Sequence, residues 1–240
     1  MVRPVGMSAG PPKTWLITGA SSGIGAATAR QVIQAGHQVA LIARNTERLL
    51  NVVQDLNPQQ VLCLRADVSD WNEVKAAVEA TVQHFGALDV AFANAGLLSG
   101  ATSMVTGETP GEWREMVLTN VLGAAFTARL CLPELIKSRG HLLLTGSVLG
   151  RVAMTGELYS ATKWAVTGLA EVIRRELIGS GVRVTLLEPG RVTTGFSDAD
   201  PIAAPHLQPD DVARAVLYAT TQPAYVDVSE LLIRPVGALE

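Results

Sequence analysis

Cysteine is scarce in this 240-residue chain, which holds only Cys63 and Cys131, one in an apolar strand pattern and one in a helical pattern. Two such thiols argue against a disulfide framework or a metal site, and both are expected to be small core residues. The four histidines, His37, His84, His141 and His206, are scattered without ligand spacing, so no metal is expected. Charge is sparse as well, at 17% of residues with a net charge of -3 and no basic run. That balance gives no electrostatic reason to expect a nucleic-acid or anionic-membrane partner. Residues Met1 to Pro12 contain neither an apolar signal core nor a run long enough to cross a membrane. They read as a flexible tail, rich in Pro and Gly, on a cytoplasmic protein, with Met7 as a second candidate start. No repeat, linker or second domain is visible.

What is plentiful is apolar sequence, at 48% of residues, enough for one well-packed α/β domain over residues 13–240. Short apolar runs at Trp15–Ile17, Gln38–Ala43, Val61–Leu64, Leu88–Ala93, His141–Thr145, Val182–Leu187 and Glu230–Arg234 predict seven strands. Between them, helices are predicted over Ile24–Gln34, Thr46–Leu56, Trp71–Phe85, Pro110–Leu135, Leu158–Ile178 and Asp210–Thr221, with Ser69 or Asp70 capping the third. Gly123 and Pro133 weaken the continuity of the long fourth helix. Near-continuous apolar strands alternating with helices predict an α/β fold: a doubly wound, parallel, seven-stranded sheet with helices on both faces, the Rossmann arrangement. Ligands sit at the carboxyl ends of such strands, where Asp67, Asn94, Ser147 and Glu188-Pro189-Gly190 fall.

The first strand runs into Thr18-Gly-Ala-Ser-Ser-Gly-Ile-Gly25. A glycine-rich turn between strand and helix offers bare backbone N–H groups and a positive helix end to a phosphate. Gly19 closes the turn, Gly23 admits the ligand, and Gly25 lets the helix lie close. The spacing G-x-x-x-G-x-G departs from the commoner dinucleotide fingerprint. Where such folds place an acid for the adenosine ribose, this chain reads Leu41-Ile-Ala-Arg44-Asn45, with no carboxylate. Arg44 suits a ribose 2′-phosphate, so NADP(H) is expected over NAD(H); its bland alternative is a solvated loop residue. Asp67 is placed for the adenine amino group or for a helix cap.

Tyr159 and Lys163 fall four apart in a helix pattern, on one face. A free phenol, with a pKa of about 10, exchanges protons poorly near neutrality, and a neighbouring ammonium favours the phenolate. The pair suits proton exchange with a carbonyl or alcohol oxygen while hydride moves at carbon. Ser147 can hydrogen-bond the same oxygen. Asn120, polar in an apolar stretch, can hold a water that feeds protons to Lys163.

With these residues in family order, the chain resembles the short-chain dehydrogenase/reductases from about Thr14 to Pro235. The likeness rests on Thr18-Gly-x-x-x-Gly-x-Gly25, Asn94-Ala-Gly96, Asn120, Ser147, Tyr159-x-x-x-Lys163 and Pro189-Gly190 through Thr194. It implies Tyr159 as catalytic acid/base, Lys163 as its tuner and a nicotinamide-ribose ligand, Ser147 polarising the carbonyl, and Asn120 keeping the relay water. The implied cofactor wall comprises Gly19, Ser21, Ser22, Gly23, Ile24, Gly25, Arg44, Asn45, Asp67, Val68, Asn94, Ala95, Gly96, Tyr159, Lys163, Pro189, Gly190, Val192 and Thr194. It further implies a small carbonyl or alcohol substrate and a homo-oligomer, dimer or tetramer, assembled through two long helices and the C-terminal end. The tail Val228–Pro235 is similar to NADP-dependent hydroxy-acid and serine dehydrogenases.

One spacing departs: Ser147 precedes Tyr159 by twelve residues, one fewer than is commonest in the family, which shortens the pocket loop Leu149–Leu158. Between Thr194 and Asp210, where the family carries its substrate lid, Phe196 is the one large apolar anchor, and an open pocket is expected. Arg191 is a candidate for a substrate carboxylate or a solvated turn residue. A catalytically idle NADP-binding scaffold is the competing reading, although such relatives usually lose Tyr or Lys. A sugar-nucleotide epimerase would need a longer C-terminal part.

Overall fold

A computed structural model of the chain describes residues 11–98, 104, 105, 107, 109–153, 158–194 and 206–238. Most of the expected N-terminal tail, Phe196 with most of the expected lid, and residues 154–157 of the shortened loop lie outside them. Seven parallel strands form one sheet: β1 (Thr14–Thr18), β2 (Gln38–Ala43), β3 (Val61–Arg65), β4 (Val90–Ala93), β5 (His141–Thr145), β6 (Arg183–Pro189) and β7 (Glu230–Ile233). Their order is β3-β2-β1-β4-β5-β6-β7, so the winding reverses between β1 and β4, where such sheets open a crevice for ligands.

Successive strand residues point to opposite faces, and both faces are apolar here. Leu16, Ala91, Leu142, Leu144 and Leu186 meet α3 (Trp71–Phe85), α5 (Ala124–Ser138) and α6 (Leu158–Glu176). Trp15, Ile17, Leu41, Phe92, Leu143 and Leu187 meet α1 (Gly23–Gln34), α2 (Thr46–Val53) and α7 (Pro209–Thr221). Cys131 is buried in the first layer, and Cys63 packs against the second. Asp70 caps α3, its carboxylate accepting from the amides of Asn72 and Glu73. The predicted long helix runs through: α4 (Pro110–Val117) passes into a π-helical turn, Leu118–Gly123, and then α5. Pro133 lies inside α5 without ending it. Gly123 has a packing reason, because a Cβ there would stand 2.6 Å from Val68 Cγ2.

At the opposite, amino end of the sheet, His141 is buried at 1% exposure. Thr185 Oγ1 gives its proton to the Val228 carbonyl at 2.7 Å, so His141 Nε2 donates to Thr185 Oγ1, also at 2.7 Å. Burial, with the cations Arg183 and Lys13 nearby, pushes the imidazole down to about 3. A base whose folded pKa lies below its unfolded value of about 6.5 stabilises the fold above that value and loses the contribution as pH falls. Between pH 7 and pH 5 the loss from this group is about 2 kcal/mol. Chemical denaturation of wild type and His141→Leu across that range should show a shallower pH dependence in the variant. Equal slopes would contradict the assignment.

Candidate active site

The turn after β1 is built from glycines that have no room for side chains. Gly19, at φ 63°, would bring a Cβ to 2.8 Å from Ala95 Cα. A Cβ at Gly25 would lie 2.4 Å from the Gly19 carbonyl oxygen and 2.8 Å from Asn94 Nδ2. Gly25 therefore packs against the turn itself. Ser22 stands at the N-cap of α1 in extended conformation without a side-chain capping bond, which leaves first-turn N–H groups for solvent or an anion. Gly23, at φ 52°, faces Thr194, whose Cβ and Cγ2 would each be 3.0 Å from a Cβ there. Two predicted cofactor residues 171 positions apart (194 minus 23) thus meet across the mouth of the turn.

Asn94 joins three strand ends. Its Nδ2 donates to the carbonyls of Thr18 (3.0 Å) and Gly19 (3.4 Å), and its Oδ1 accepts from Thr145 Oγ1 (3.1 Å). Thr18 Oγ1 in turn accepts from the amides of Asn94 and Ala95. Thr145 extends the chain of contacts, since its carbonyl accepts from Lys163 Nζ at 2.8 Å. The glycine turn and the buried lysine are thereby linked through two side chains.

On α6, Tyr159 and Lys163 stand one turn apart, with Lys163 Nζ 5.4 Å from the phenol ring centroid. Lys163 is 3% exposed, and burial lowers its ammonium to about 8, so it is charged below that pH and neutral above it. Ser147, at 7% exposure, accepts from the Leu149 amide at 3.1 Å and caps the short turn Val148–Gly150. That turn is pressed onto α6: a Cβ at Gly150 would lie 2.8 Å from Thr167 Oγ1 and 2.9 Å from the Lys163 carbonyl. The hydroxyl side of the site is thus held in register with the Tyr–Lys face.

A cavity of about 630 Å³ opens at these strand ends. Tyr159, Lys163 and Ser147 line it together with Gly19, Ser21, Ser22, Gly23, Ile24, Arg44, Asn45, Asp67, Val68, Asn94, Ala95, Gly96, Pro189, Gly190, Val192 and Thr194. Of the sequence-predicted set, Gly25 and Asn120 stand behind this wall. Asn120, 1% exposed in the π-helical turn, spends its amide on Leu97: Oδ1 accepts from Leu97 N (2.8 Å), and Nδ2 donates to Leu97 O (2.9 Å) and Thr162 Oγ1 (3.1 Å). It nevertheless reaches the edge of the site, because a Cβ at Gly96 would be 3.3 Å from Asn120 Oδ1 and 3.7 Å from Lys163 Nζ.

At the far end, Asn45 caps α2 by accepting from the Arg48 amide, and Arg48 joins Arg44 on the wall. Burial alone would raise the Asp67 carboxyl, but bonds from the Ser69 amide (2.9 Å) and hydroxyl (2.7 Å), with Arg44 and Arg65 nearby, hold it below the ordinary carboxylate range. The sequence promised Arg44 surroundings without a carboxylate; the fold brings Glu115 of α4 to 2.9 Å from its Nη1.

Glu188, at a strand end and 1% exposed, serves structure instead of the cavity. Arg151 clasps it with two bonds, Nε to Oε1 at 2.6 Å and Nη2 to Oε2 at 3.2 Å, and also reaches Glu230 at 2.6 Å. Sequence reasoning missed Thr145, whose carbonyl acts regardless of residue type, and His206, which lines the cavity beside Arg191 where Leu207 bridges Val192. The end-of-β2 spacing could have pointed to Arg48, four residues after Arg44.

A family model described as short chain dehydrogenase matches residues 13–201. An oxidoreductase of Staphylococcus aureus (strain USA300), described as uncharacterised, is 38% identical over 227 residues, 93% of this chain and 97% of that one. Among solved structures, an alcohol dehydrogenase from the archaeon Thermococcus sibiricus, complexed with 5-hydroxy-NADP, superposes with a TM-score of 0.86 at 34% identity. It covers 93% of this chain and 97% of its own. Serine dehydrogenase from Escherichia coli gives 0.82 at 30% identity, covering 92% and 96%. The chain belongs to the short-chain dehydrogenase family and is an oxidoreductase of that family.

Proposed function

We propose that this protein interconverts a small carbonyl compound and a secondary alcohol with NADP(H), Tyr159 serving as the acid/base. The observation that carries the reading is the convergence of Tyr159, Lys163 and Ser147 on the same cavity as the glycine turn. The cradle fits a dinucleotide, because α1 begins without a side-chain cap, which leaves first-turn N–H groups for an anion, at a turn whose residues Gly19, Ser21, Ser22, Gly23 and Ile24 line the cavity. Three similar structures are described as complexes with NADP or 5-hydroxy-NADP, which supports the cofactor class.

In this reading Ser21, Ser22, Gly23 and Ile24 hold the pyrophosphate, Asp67 and Val68 the adenine side, and Asn94 to Gly96 the central ribose. Pro189, Gly190, Val192 and Thr194 hold the carboxamide end. A bound nicotinamide supplies or accepts the hydride. In the reducing direction Ser147 Oγ donates to the substrate oxygen and Tyr159 delivers the proton that completes the alcohol; in the oxidising direction Tyr159 takes it. Lys163, an ammonium below about pH 8, favours the phenolate left after transfer. Asn120, its amide committed to Leu97 and Thr162, acts by keeping Leu97 and Gly96 in place beside Lys163.

NADP(H) preference rests on Arg44, with Arg48 as a second cation on that wall. A charge-assisted bond is worth about 1.5–3 kcal/mol, so Arg44→Ala should lower kcat/KM for NADPH by roughly 10- to 100-fold and leave NADH nearly unchanged. An equal loss with both cofactors would defeat the preference.

The protein acts as a homo-oligomer, a dimer or tetramer, in this reading. Val117 and Leu122 on the long helix and Trp164 and Val172 on the neighbouring α6 are exposed apolar side chains, which such an interface would cover. Light scattering that finds a monomer at working concentration would remove this part.

A further inference from the structure

At the nucleotide end of the cavity an ion pair joins a cavity residue to a residue outside it. Arg44 lies on the wall at the end of β2, and Glu115 approaches from the last turn of α4 to 2.9 Å from Arg44 Nη1. The two are distant in sequence and more than half exposed, at 60% and 54%, so water and ions reach both. α4 itself is firmly started, with a capping box between Thr109 and Glu112 and Pro110 in its first turn, so Glu115 rides on a formed helix. Asp67, the other carboxylate facing Arg44, is already engaged by the Ser69 amide and hydroxyl. Glu115 is therefore the acid that occupies the guanidinium.

We propose that Glu115 is a specificity-determining residue, which competes with the 2′-phosphate of NADP(H) for Arg44. This rests on the reading that Arg44 receives that phosphate. With NAD(H), whose 2′ position carries a neutral hydroxyl, the Arg44–Glu115 pair persists. With NADP(H), a phosphate of nearly two negative charges must share or displace the carboxylate, and Glu115 repels it. The acid that Rossmann folds commonly place at the end of the second strand is thus supplied from a different helix, and it narrows the margin between the two cofactors. Such a partner tunes discrimination without touching the reacting atoms, so its effect belongs in binding and not in the chemical step.

The test is calorimetric titration of the intact protein, without substrate, with NADP+, NAD+ and adenosine 2′,5′-bisphosphate, using wild type, Glu115→Gln and Arg44→Ala. Exposed ion pairs are weak, so Glu115→Gln should tighten NADP+ and the bisphosphate by about 2- to 5-fold and move NAD+ less than about 1.5-fold, with the gain shrinking at high salt. Arg44→Ala should abolish the difference between NADP+ and NAD+. If Glu115→Gln leaves the ratio of the two affinities unchanged while Arg44→Ala collapses it, Glu115 has no such role and the cofactor reading stands. If Arg44→Ala leaves the ratio intact, the phosphate is held elsewhere and both statements fall.

Discussion

Replacing Tyr159 by phenylalanine is expected to lower kcat by about 10²- to 10⁴-fold, the range that a positioned proton donor supplies, while NADPH affinity stays within about 2-fold. Phenylalanine keeps the ring over which Lys163 Nζ lies at 5.4 Å, and so keeps the packing of α6 against the cavity. In the proposed mechanism, what disappears is the hydroxyl that passes a proton to the substrate oxygen and is recharged through a buried ammonium. Ser147 is not expected to replace it: an aliphatic hydroxyl is far less acidic than a phenol, so it polarises the carbonyl by a hydrogen bond without readily giving up its proton. The measurement pairs steady-state turnover with cofactor titration on the same preparation. Turnover within 3-fold of wild type would remove Tyr159 from the chemistry, and parallel loss of binding and turnover would make it a packing residue.

The second large effect concerns stability. Arg151→Met should destabilise the fold by about 3–5 kcal/mol, because it strands the carboxylate of Glu188 at 1% exposure without its bidentate partner. The bond to Glu230 adds little, since that acid is half exposed and remains solvated. The double variant Arg151→Met/Glu188→Gln should recover at least half of the loss, because the amide carries no buried charge. Denaturant midpoints of the three proteins decide it, and a single variant within about 1 kcal/mol of wild type would contradict the account. The site is affected as well, because Arg151 follows the Val148–Gly150 turn and ties the Ser147 loop to the ends of β6 and β7.

The parallel sheet was readable because its strands are nearly continuous apolar runs, and the start of α3 because Asp70, one of the two cap candidates, is a good capping residue in the right place. Helix ends were less so: α2 stops at Val53 and not at Leu56, and α6 at Glu176 and not at Ile178, since the same residues suit a helix or the turn after it. In the long helix, Gly123 and Pro133 suggested a break; the observed adjustment is a π-helical turn, a slip in hydrogen bonding that leaves the apolar pattern intact. The residues that local motifs single out, from Gly19 to Thr194, line one cavity, apart from Gly25 and Asn120 behind it. What stayed hidden depends on distant chain segments meeting. Glu115 finds Arg44 across 71 residues, and Glu188 finds Arg151 across 37. Thr145 meets Lys163 through a backbone carbonyl that any residue would carry, and Asn94 through a hydroxyl, from a strand end distant in sequence from both.

In the proposed function this cavity moves hydride between NADP(H) and a carbonyl carbon while Tyr159 moves the proton. Its most direct test supplies NADPH deuterated at the transferring position of the nicotinamide to a panel of ketones, quinones, 3-oxo acids and steroids, and reads the products by mass spectrometry. At least one ketone-bearing class should yield an alcohol with a single deuterium on the carbinol carbon. Firm NADPH binding with no labelled alcohol from any class would contradict it and leave a cofactor-binding protein on an enzyme's fold.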